Sequence, residues 1–317
     1  MNMIKIKKII IAQHYGFCMG VKRAISIAEK TMTGDEPVTI LNEIVHNDAI
    51  VQKFSKSGVG QSSDIDEITR GTVIISAHGA SPEVITKGRK RGLKIVDATC
   101  PLVIRIHKII RRLAENDYHI LHFGDPDHDE TIGIVGHAPG KVTVIQSLES
   151  LKKAGDFEGK LALTSQTTAR IADFEEVERA ARKLYPGIEV FNTICNATGQ
   201  RQAAIVALAP EVDLMLVVGS QTSANSKRLA KISATICPRS FLINSANDIR
   251  PEMFTGNEHP VETVGLSAGA STPDFLIDGV KDRLIDMAGR RVDIVYSGQR
   301  CRVNELVMKK MPFDLNG

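Results

Sequence analysis

Short runs of β-branched and aliphatic residues alternate with longer segments of helical apolar periodicity along almost the whole chain. The short runs predict strands at 4–12, 72–77, 94–98, 119–123, 142–146, 161–164, 214–219, 241–244 and 264–267. The periodic segments between them predict helices over 21–31, 82–90, 102–115, 173–184, 200–208, 226–234 and 273–284. Such alternation argues for parallel sheets covered by helices, so the expected fold is α/β, built from several small sheets. From about Arg290 one more strand-like run leads into a tail expected to pack across the body.

There is a faint internal echo. Ser-Ala-His-Gly-Ala-Ser-Pro, ending at Pro82, resembles Ser-Ala-Gly-Ala-Ser-Thr-Pro, ending at Pro273. Each follows an expected strand and opens an expected helix, with serine at the N-cap and proline at the first helical position. No low-complexity linker separates the units.

Composition then sets limits. A chain of 317 residues is too long for one ordinary core and suits two or three modest ones. Its 43% hydrophobic and 24% charged residues are an ordinary globular balance. A net charge of +3, no basic block, four Tyr and no Trp give little support for nucleic-acid binding. Apolar stretches such as Leu214–Val218 fall far short of the roughly 18–20 residues that span a bilayer, so no membrane segment is expected. The run 5–11 reads as a buried strand rather than a signal peptide. Five cysteines, odd in number and scattered, do not suggest a disulfide framework, and a reducing cytoplasm is the simplest compartment.

Three of those cysteines share a context. Cys18 (Tyr-Gly-Phe-Cys-Met-Gly), Cys100 (Asp-Ala-Thr-Cys-Pro-Leu) and Cys195 (Asn-Thr-Ile-Cys-Asn-Ala) each stand between an expected strand and an expected helix. A thiolate there feels the positive end of the helix dipole, which lowers its pKa and favours metal binding. Ligands of open α/β sheets gather beyond the carboxyl ends of strands, so three sulfurs distant in sequence can meet at one face. Any one cysteine taken singly reads as a small buried hydrophobe, and Cys237 and Cys301, which lack this context, keep that reading. Zinc also fits three thiolates, although no Cys-x-x-Cys pair is present. Three ligands leave one metal position open, as a catalytic metal requires.

Polar motifs sit in comparable turns. His46 lies in Glu-Ile-Val-His-Asn, His78 in Ser-Ala-His-Gly-Ala, and His128 in Asp-Pro-Asp-His-Asp-Glu. Two stretches, 219–226 and 268–273, carry Ser223, Asn225 and Ser271 into helix N-termini, where backbone N–H groups attract anions. Serines and asparagines there also serve as plain helix caps. Glu130, two residues beyond His128 in the same loop, is the candidate general acid, and Thr167 can pass a proton or orient a hydroxyl. A Glu near a helix start also serves as a dipole partner. His119 and His122 interrupt an apolar strand and read as structural.

Taken together these motifs resemble the LytB (IspH) family of 4-hydroxy-3-methylbut-2-enyl diphosphate reductases. The likeness runs from Gly-Phe-Cys-Met-Gly-Val at residue 16 to Ala-Gly-Ala-Ser-Thr-Pro-Asp ending at 274. Between them come Asp-Ala-Thr-Cys-Pro-Leu-Val, a His-x-Glu element, Ser-Gln-Thr-Thr and Gly-Ser-x-x-Ser-x-Asn-Ser. The resemblance implies a trefoil of three small parallel-sheet α/β domains around a central iron–sulfur cluster. The boundaries expected are an N-terminal strand in 1–17, domains at 18–100, 101–196 and 197–285, and the tail at 286–317. It further implies one 4Fe–4S cluster per chain on Cys18, Cys100 and Cys195, whose fourth iron binds the substrate hydroxyl. His46, His78, His128, Ser223, Asn225 and Ser271 would hold the diphosphate, with Ala224 contributing through its backbone. Glu130 would supply the proton, with Thr167 beside the hydroxyl. Reductive loss of water would give isopentenyl and dimethylallyl diphosphates, with electrons from a ferredoxin or flavodoxin and the protein a monomer or weak dimer.

Three residues depart from the family pattern. Asp129 stands where proline is usual, Thr131 where valine is usual, and Ala224 where many members have serine. Two rival readings differ in class. A non-redox cluster-dependent dehydratase needs no electron donor, and a binding or sensing protein stapled by a cluster or zinc needs no Glu130.

Overall fold

The computed structural model describes residues 4–34, 36–255 and 259–298. Strand β1 (Lys8–Ile11) closes the N-terminal apolar run, with its last three residues buried. Strands β2 (Val38–Leu41), β3 (Gly60–Ser62), β4 (Thr72–Ile75) and β5 (Lys94–Asp97) form a parallel sheet in the order β3-β2-β4-β5. Strands β6 (Tyr118–Phe123), β7 (Val142–Ile145), β8 (Lys160–Ser165) and β9 (Glu189–Val190) form a second, ordered β7-β6-β8-β9. Strands β10 (Leu214–Val218), β11 (Ser240–Ile243), β12 (Thr263–Ala268) and β13 (Asp293–Tyr296) join β1 in a third, β11-β10-β12-β1-β13. The protein is thus made of three parallel-sheet α/β domains, the class that its residue pattern predicts.

The three sheets share one plan. The first strand of each run (β2, β6, β10) lies between the second and the third, and the third is flanked by a further strand: β5, β9 or β1. Chain direction across the sheet therefore reverses between first and third strands, which is where open α/β sheets place their ligands.

The helices in chain order are α1 (Met19–Thr31), α2 (Asp48–Lys56), α3 (Pro82–Lys90), α4 (Pro101–Glu115), α5 (Asp129–Gly136), α6 (Leu148–Lys152), α7 (Ile171–Leu184), α8 (Asn196–Leu208), α9 (Ala224–Ala234) and α10 (Asp274–Ala288). Proline starts α3 and α4, where its missing N–H has no helical acceptor to lose. Helix α10 stops at Gly289, whose φ of 59° is the left-handed turn glycine adopts without strain.

By compactness the described chain divides into two units. The first holds the residues up to Cys18, His46–Ile50 and those from Asn196 onward; the second holds Met19–Val45 and Val51–Cys195. In the first unit the sheet is apolar on both faces. Ile9, Ile11, Leu214, Leu216 and Val218 pack on Ile277, Val280 and Leu284 of α10. Ile10, Met215 and Val217 pack on Ile205 and Leu208 of α8 and Leu229 of α9. This is the period-two alternation of a doubly covered strand. In the second unit one core gathers Leu121, Phe123 and Leu163 with Phe174 and Val177 of α7, and another gathers Ile120 with Ile106 and Ile110 of α4.

Some elements differ from expectation. Strand β1 starts at Lys8, four residues late. Strand β3 and helices α2, α5 and α6 have no counterpart in the sequence reading, and β2 and β9, implied before His46 and Cys195, have no bounds in it. Strand β9 has two residues, β3 is Gly-Gln-Ser, and α5 carries Gly133 and Gly136, so none shows a sustained period. The second half of the echo is capped by Pro273 itself and its helix begins at Asp274, so the expected serine cap holds only at Ser81. Part of the C-terminal tail, β13, pairs with β1; Cys301 and the residues from 299 lie outside the described residues.

The second unit buries imidazoles. His107 and His122 are 6% and 0% exposed, and burial pushes each pKa down to about 3. The His137 ring stacks on His107 with centroids 3.9 Å apart, and burial beside Arg111 lowers its pKa to about 4. The unfolded chain takes up these protons below about pH 6.5, whereas the folded chain does not until far lower pH. Stability is therefore full above pH 6.5 and falls as pH drops. At pH 5 each of the two most buried histidines costs about 2 kcal/mol, which urea unfolding at pH 7 and pH 5 measures.

Candidate active site

The polar residues singled out from the sequence stand in the loops after the first and third strands of each sheet. His46 follows β2 and His78 follows β4; His128 follows β6 and Thr167 follows β8; Ser223 follows β10 and Ser271 follows β12. Each pair flanks the reversal point of its own sheet, the crevice that topology alone would nominate.

The cysteines occupy the remaining equivalent position. Cys18, Cys100 and Cys195 follow β1, β5 and β9, the strands flanking the third, and immediately precede α1, α4 and α8. One hydrogen bond recurs at all three. The Cys18 amide donates to the Ala270 carbonyl (3.1 Å), that of Cys100 to Ala77 (3.0 Å), and that of Cys195 to Thr167 (3.0 Å). Each acceptor lies in the loop after the third strand of the same sheet. All three cysteines are half-buried, and Cys100 heads α4 without a side-chain cap bond. Reduced thiols at helix N-termini are the donor set that iron–sulfur clusters use, so these residues fit such a group. Cys237 is free but buried at 5% exposure in an apolar cluster, as its sequence context suggests.

In the first unit, Ser223 caps α9, its Oγ accepting from the Ser226 amide at 3.2 Å, which leaves its hydroxyl hydrogen to donate. Asn225, at 4% exposure, has both side-chain amide atoms buried without a partner among the described residues. An orphaned amide at a helix N-terminus suits a bound anion. Ala224 is the first residue of α9, where the backbone N–H lacks a helical acceptor. Ser271 donates to the His46 carbonyl at 2.9 Å, tying the histidine segment to the loop after β12. Arg201 of α8 donates to the Ala197 and Gly16 carbonyls at 2.8 and 2.5 Å, and so steadies the turn that carries Cys18. The sequence reading missed Arg201, because nothing in its local context marks it.

Two glycines make that loop pair possible. A β-carbon on Gly219 or Gly269 would overlap Ser226 Oγ, which is itself without a partner among the described residues. Gly269→Ala is expected to destabilise the protein by about 1–3 kcal/mol, since overpacking has nowhere to relax. Adding Ser226→Ala removes the colliding hydroxyl and should recover most of the loss in thermal unfolding; no recovery would mean the strain lies elsewhere.

In the second unit, His128 is the N-cap of α5, its Nδ1 accepting from the Glu130 amide at 3.1 Å. That acceptor role assigns the proton to Nε2 and makes it the donor. His78 meets His128 edge-on with centroids 5.4 Å apart, and its Nδ1 lies 3.8 Å from an Asp129 carboxylate oxygen. The residue in the usual proline position thus brings an acid beside a candidate anion-binding histidine. Glu130 lies in the first turn of the helix, not in the loop that the sequence suggested, and is 2% exposed. Its two carboxylate oxygens accept from the Thr167 amide at 2.6 Å and the Thr167 hydroxyl at 2.5 Å. This grip joins the loops after β6 and β8 and holds the hydroxyl at the reversal point.

Parallel sheets with cysteines and polar loops repeated at their carboxyl ends define an α/β protein of three like domains. Comparison with known proteins sharpens that class. The sequence model of the family "LytB protein" matches residues 9–285. The 4-hydroxy-3-methylbut-2-enyl diphosphate reductase of Aquifex aeolicus is 40% identical over 280 residues, 87% of this chain and 95% of the relative. The solved structure of the E-1-hydroxy-2-methyl-but-2-enyl-4-diphosphate reductase from Plasmodium falciparum aligns with a TM-score of 0.84 at 28% identity, over 93% of each chain. A second solved structure, a reductase titled the terminal enzyme of the non-mevalonate pathway, aligns with a TM-score of 0.63 at 40% identity, over 89% of this chain and all (100%) of that one. The chain belongs to the LytB protein family. Among the described residues no helix is long and apolar enough to cross a membrane.

Proposed function

We infer that this chain removes the allylic hydroxyl of (E)-4-hydroxy-3-methylbut-2-enyl diphosphate, giving isopentenyl and dimethylallyl diphosphates as the last step of the non-mevalonate isoprenoid pathway. The observation that carries this reading is the threefold recurrence of cysteine, helix start and backbone hydrogen bond in a member of the LytB family. A 4Fe–4S cluster on Cys18, Cys100 and Cys195 would relay the donor's two electrons one at a time and would supply a Lewis-acidic iron.

The chain's own residues do the rest. Ser223, Asn225 and the Ala224 amide offer uncharged donors to the diphosphate, Ser271 adds its hydroxyl when that turns from the His46 carbonyl, and His46, His78 and His128 add imidazole N–H groups. Glu130 once protonated donates to Thr167 Oγ1, reversing the hydrogen bond that the ionised carboxylate accepts, and the Thr167 hydrogen passes to the substrate oxygen. The C–O bond breaks with that oxygen leaving as water; the allylic fragment gains two electrons and a second proton. Electrons come from a ferredoxin- or flavodoxin-type donor, the working state is a monomer or weak dimer, and five scattered cysteines, an odd number, suit a reducing cytoplasm.

Anaerobic purification with iron and sulfide analysis, followed by assay with dithionite and the hydroxymethylbutenyl diphosphate, tests this. Equal iron and sulfide with donor-dependent product is the expected result. Zinc without sulfide would end the redox reading, and turnover without any donor would replace it with a dehydratase.

A further inference from the structure

Helix α1 begins directly after Cys18, yet its first turns are built around Cys100. A β-carbon on Gly20 would lie 2.5 Å from Cys100 Sγ and 3.2 Å from Cys100 Cβ. Real β-carbons do not come so near a sulfur, so only glycine lets the thiol rest against this turn. Arg23 stands three residues on, on the same face of the helix. Its guanidinium donates to the Thr99 carbonyl at 3.0 Å.

That carbonyl belongs to the peptide group whose N–H is the Cys100 amide, which donates to the Ala77 carbonyl at 3.0 Å. A peptide is planar, so a partner at each end fixes its orientation and the Cys100 Cα with it. Thr99 is 3% exposed and its own amide donates to Asp97 Oδ1 at 2.9 Å, which pins the residue before the cysteine as well. The cysteine side chain then keeps a single heavy-atom torsion, and Gly20 clears the place that the sulfur takes.

The plan recurs in the other unit. Arg201 of α8 is 5% exposed and donates to the Gly16 carbonyl, two residues before Cys18. In both cases the helix that opens a domain reaches the turn of the cysteine that follows a strand of the same sheet. Helix α1 opens the sheet whose β5 leads to Cys100, and α8 opens the sheet whose β1 leads to Cys18.

We propose that Gly20 and Arg23 are positioning residues for Cys100, and Arg201 for Cys18, holding the sulfurs ready for iron. None of the three is a ligand. The proposal rests on the cluster reading given above.

The test uses anaerobically purified holoenzyme and the rate at which an iron chelator bleaches its visible absorbance. Gly20→Ala, Arg23→Ala and Arg201→Ala are each expected to speed iron loss about tenfold to a hundredfold, the usual weight of groups that orient a metal ligand. Each should also alter the electron-spin resonance spectrum of the reduced cluster. Arg23→Lys should restore most of the retention, because an ammonium still donates to the Thr99 carbonyl. Gly279→Ala, in α10 with open space around it, is the control and should leave the rate unchanged. In metal-free protein Gly20→Ala should lower the thermal midpoint although alanine is the better helix former, and in a Cys100→Ala background that loss should shrink. An unchanged rate of iron loss in Arg23→Ala or Arg201→Ala, even with a lowered midpoint, would overturn the proposal. So would an equal Gly20→Ala penalty with the sulfur present and absent. Wild-type protein that holds no iron and sulfide would instead remove the cluster reading, and Cys100 as a ligand with it.

Discussion

Glu130→Gln is expected to lower kcat roughly 10²- to 10⁴-fold while leaving substrate binding within a few fold, the usual range for losing a general acid. The substitution is nearly isosteric, so the first turn of α5 and its His128 cap persist. What changes is the grip on Thr167. The carboxylate accepts from both the Thr167 amide and its hydroxyl, whereas a carboxamide has a single acceptor oxygen. One of the two donors is left facing an NH2 group, and no proton remains to transfer. Single-turnover kinetics with pre-reduced enzyme separates this from slow electron delivery. Normal turnover would take Glu130 off the proton path.

An effect as large is expected at each of the three cysteines. Cys18→Ser, Cys100→Ser and Cys195→Ser should each reduce turnover to background and lower iron per chain. A serine hydroxyl stays protonated at neutral pH, where a helix-terminal thiol can ionise. Because the three share one topological position and one backbone hydrogen bond, the losses should be alike. Cys237→Ser is the internal control. Its thiol is buried in the apolar cluster beside Leu229 and Met215, so it should cost stability and leave iron content unchanged. Iron retained in a Cys100→Ser protein would show that the ligand set is drawn wrongly.

The strands richest in β-branched residues were legible from the sequence because two covered faces require continuous apolar runs, as in Leu214–Val218. Strand β3, a Gly-Gln-Ser triplet at the edge of its sheet, carries no such demand and left no trace. The cysteines could be found because each precedes a helix, yet their equivalence could not. It resides in carbonyl groups of Ala77, Thr167 and Ala270, and every residue type has a carbonyl. Glu130 was found, but its helix was not. His128 is an uncommon N-cap, and two glycines in eight residues weaken the helical signal.

Strand β1 lies between β12 and β13, so once made it must wait for strands synthesised much later. At about 5–20 residues per second, translation keeps it unpaired for on the order of 10–50 s, with its apolar run exposed to chaperones or to wrong partners. The sheets of β2–β5 and β6–β9 draw their strands from continuous stretches and can close earlier. Cys18, attached to the waiting strand, is then the last of the three thiols to be fixed, taking its final place only once β12 and β13 have been made.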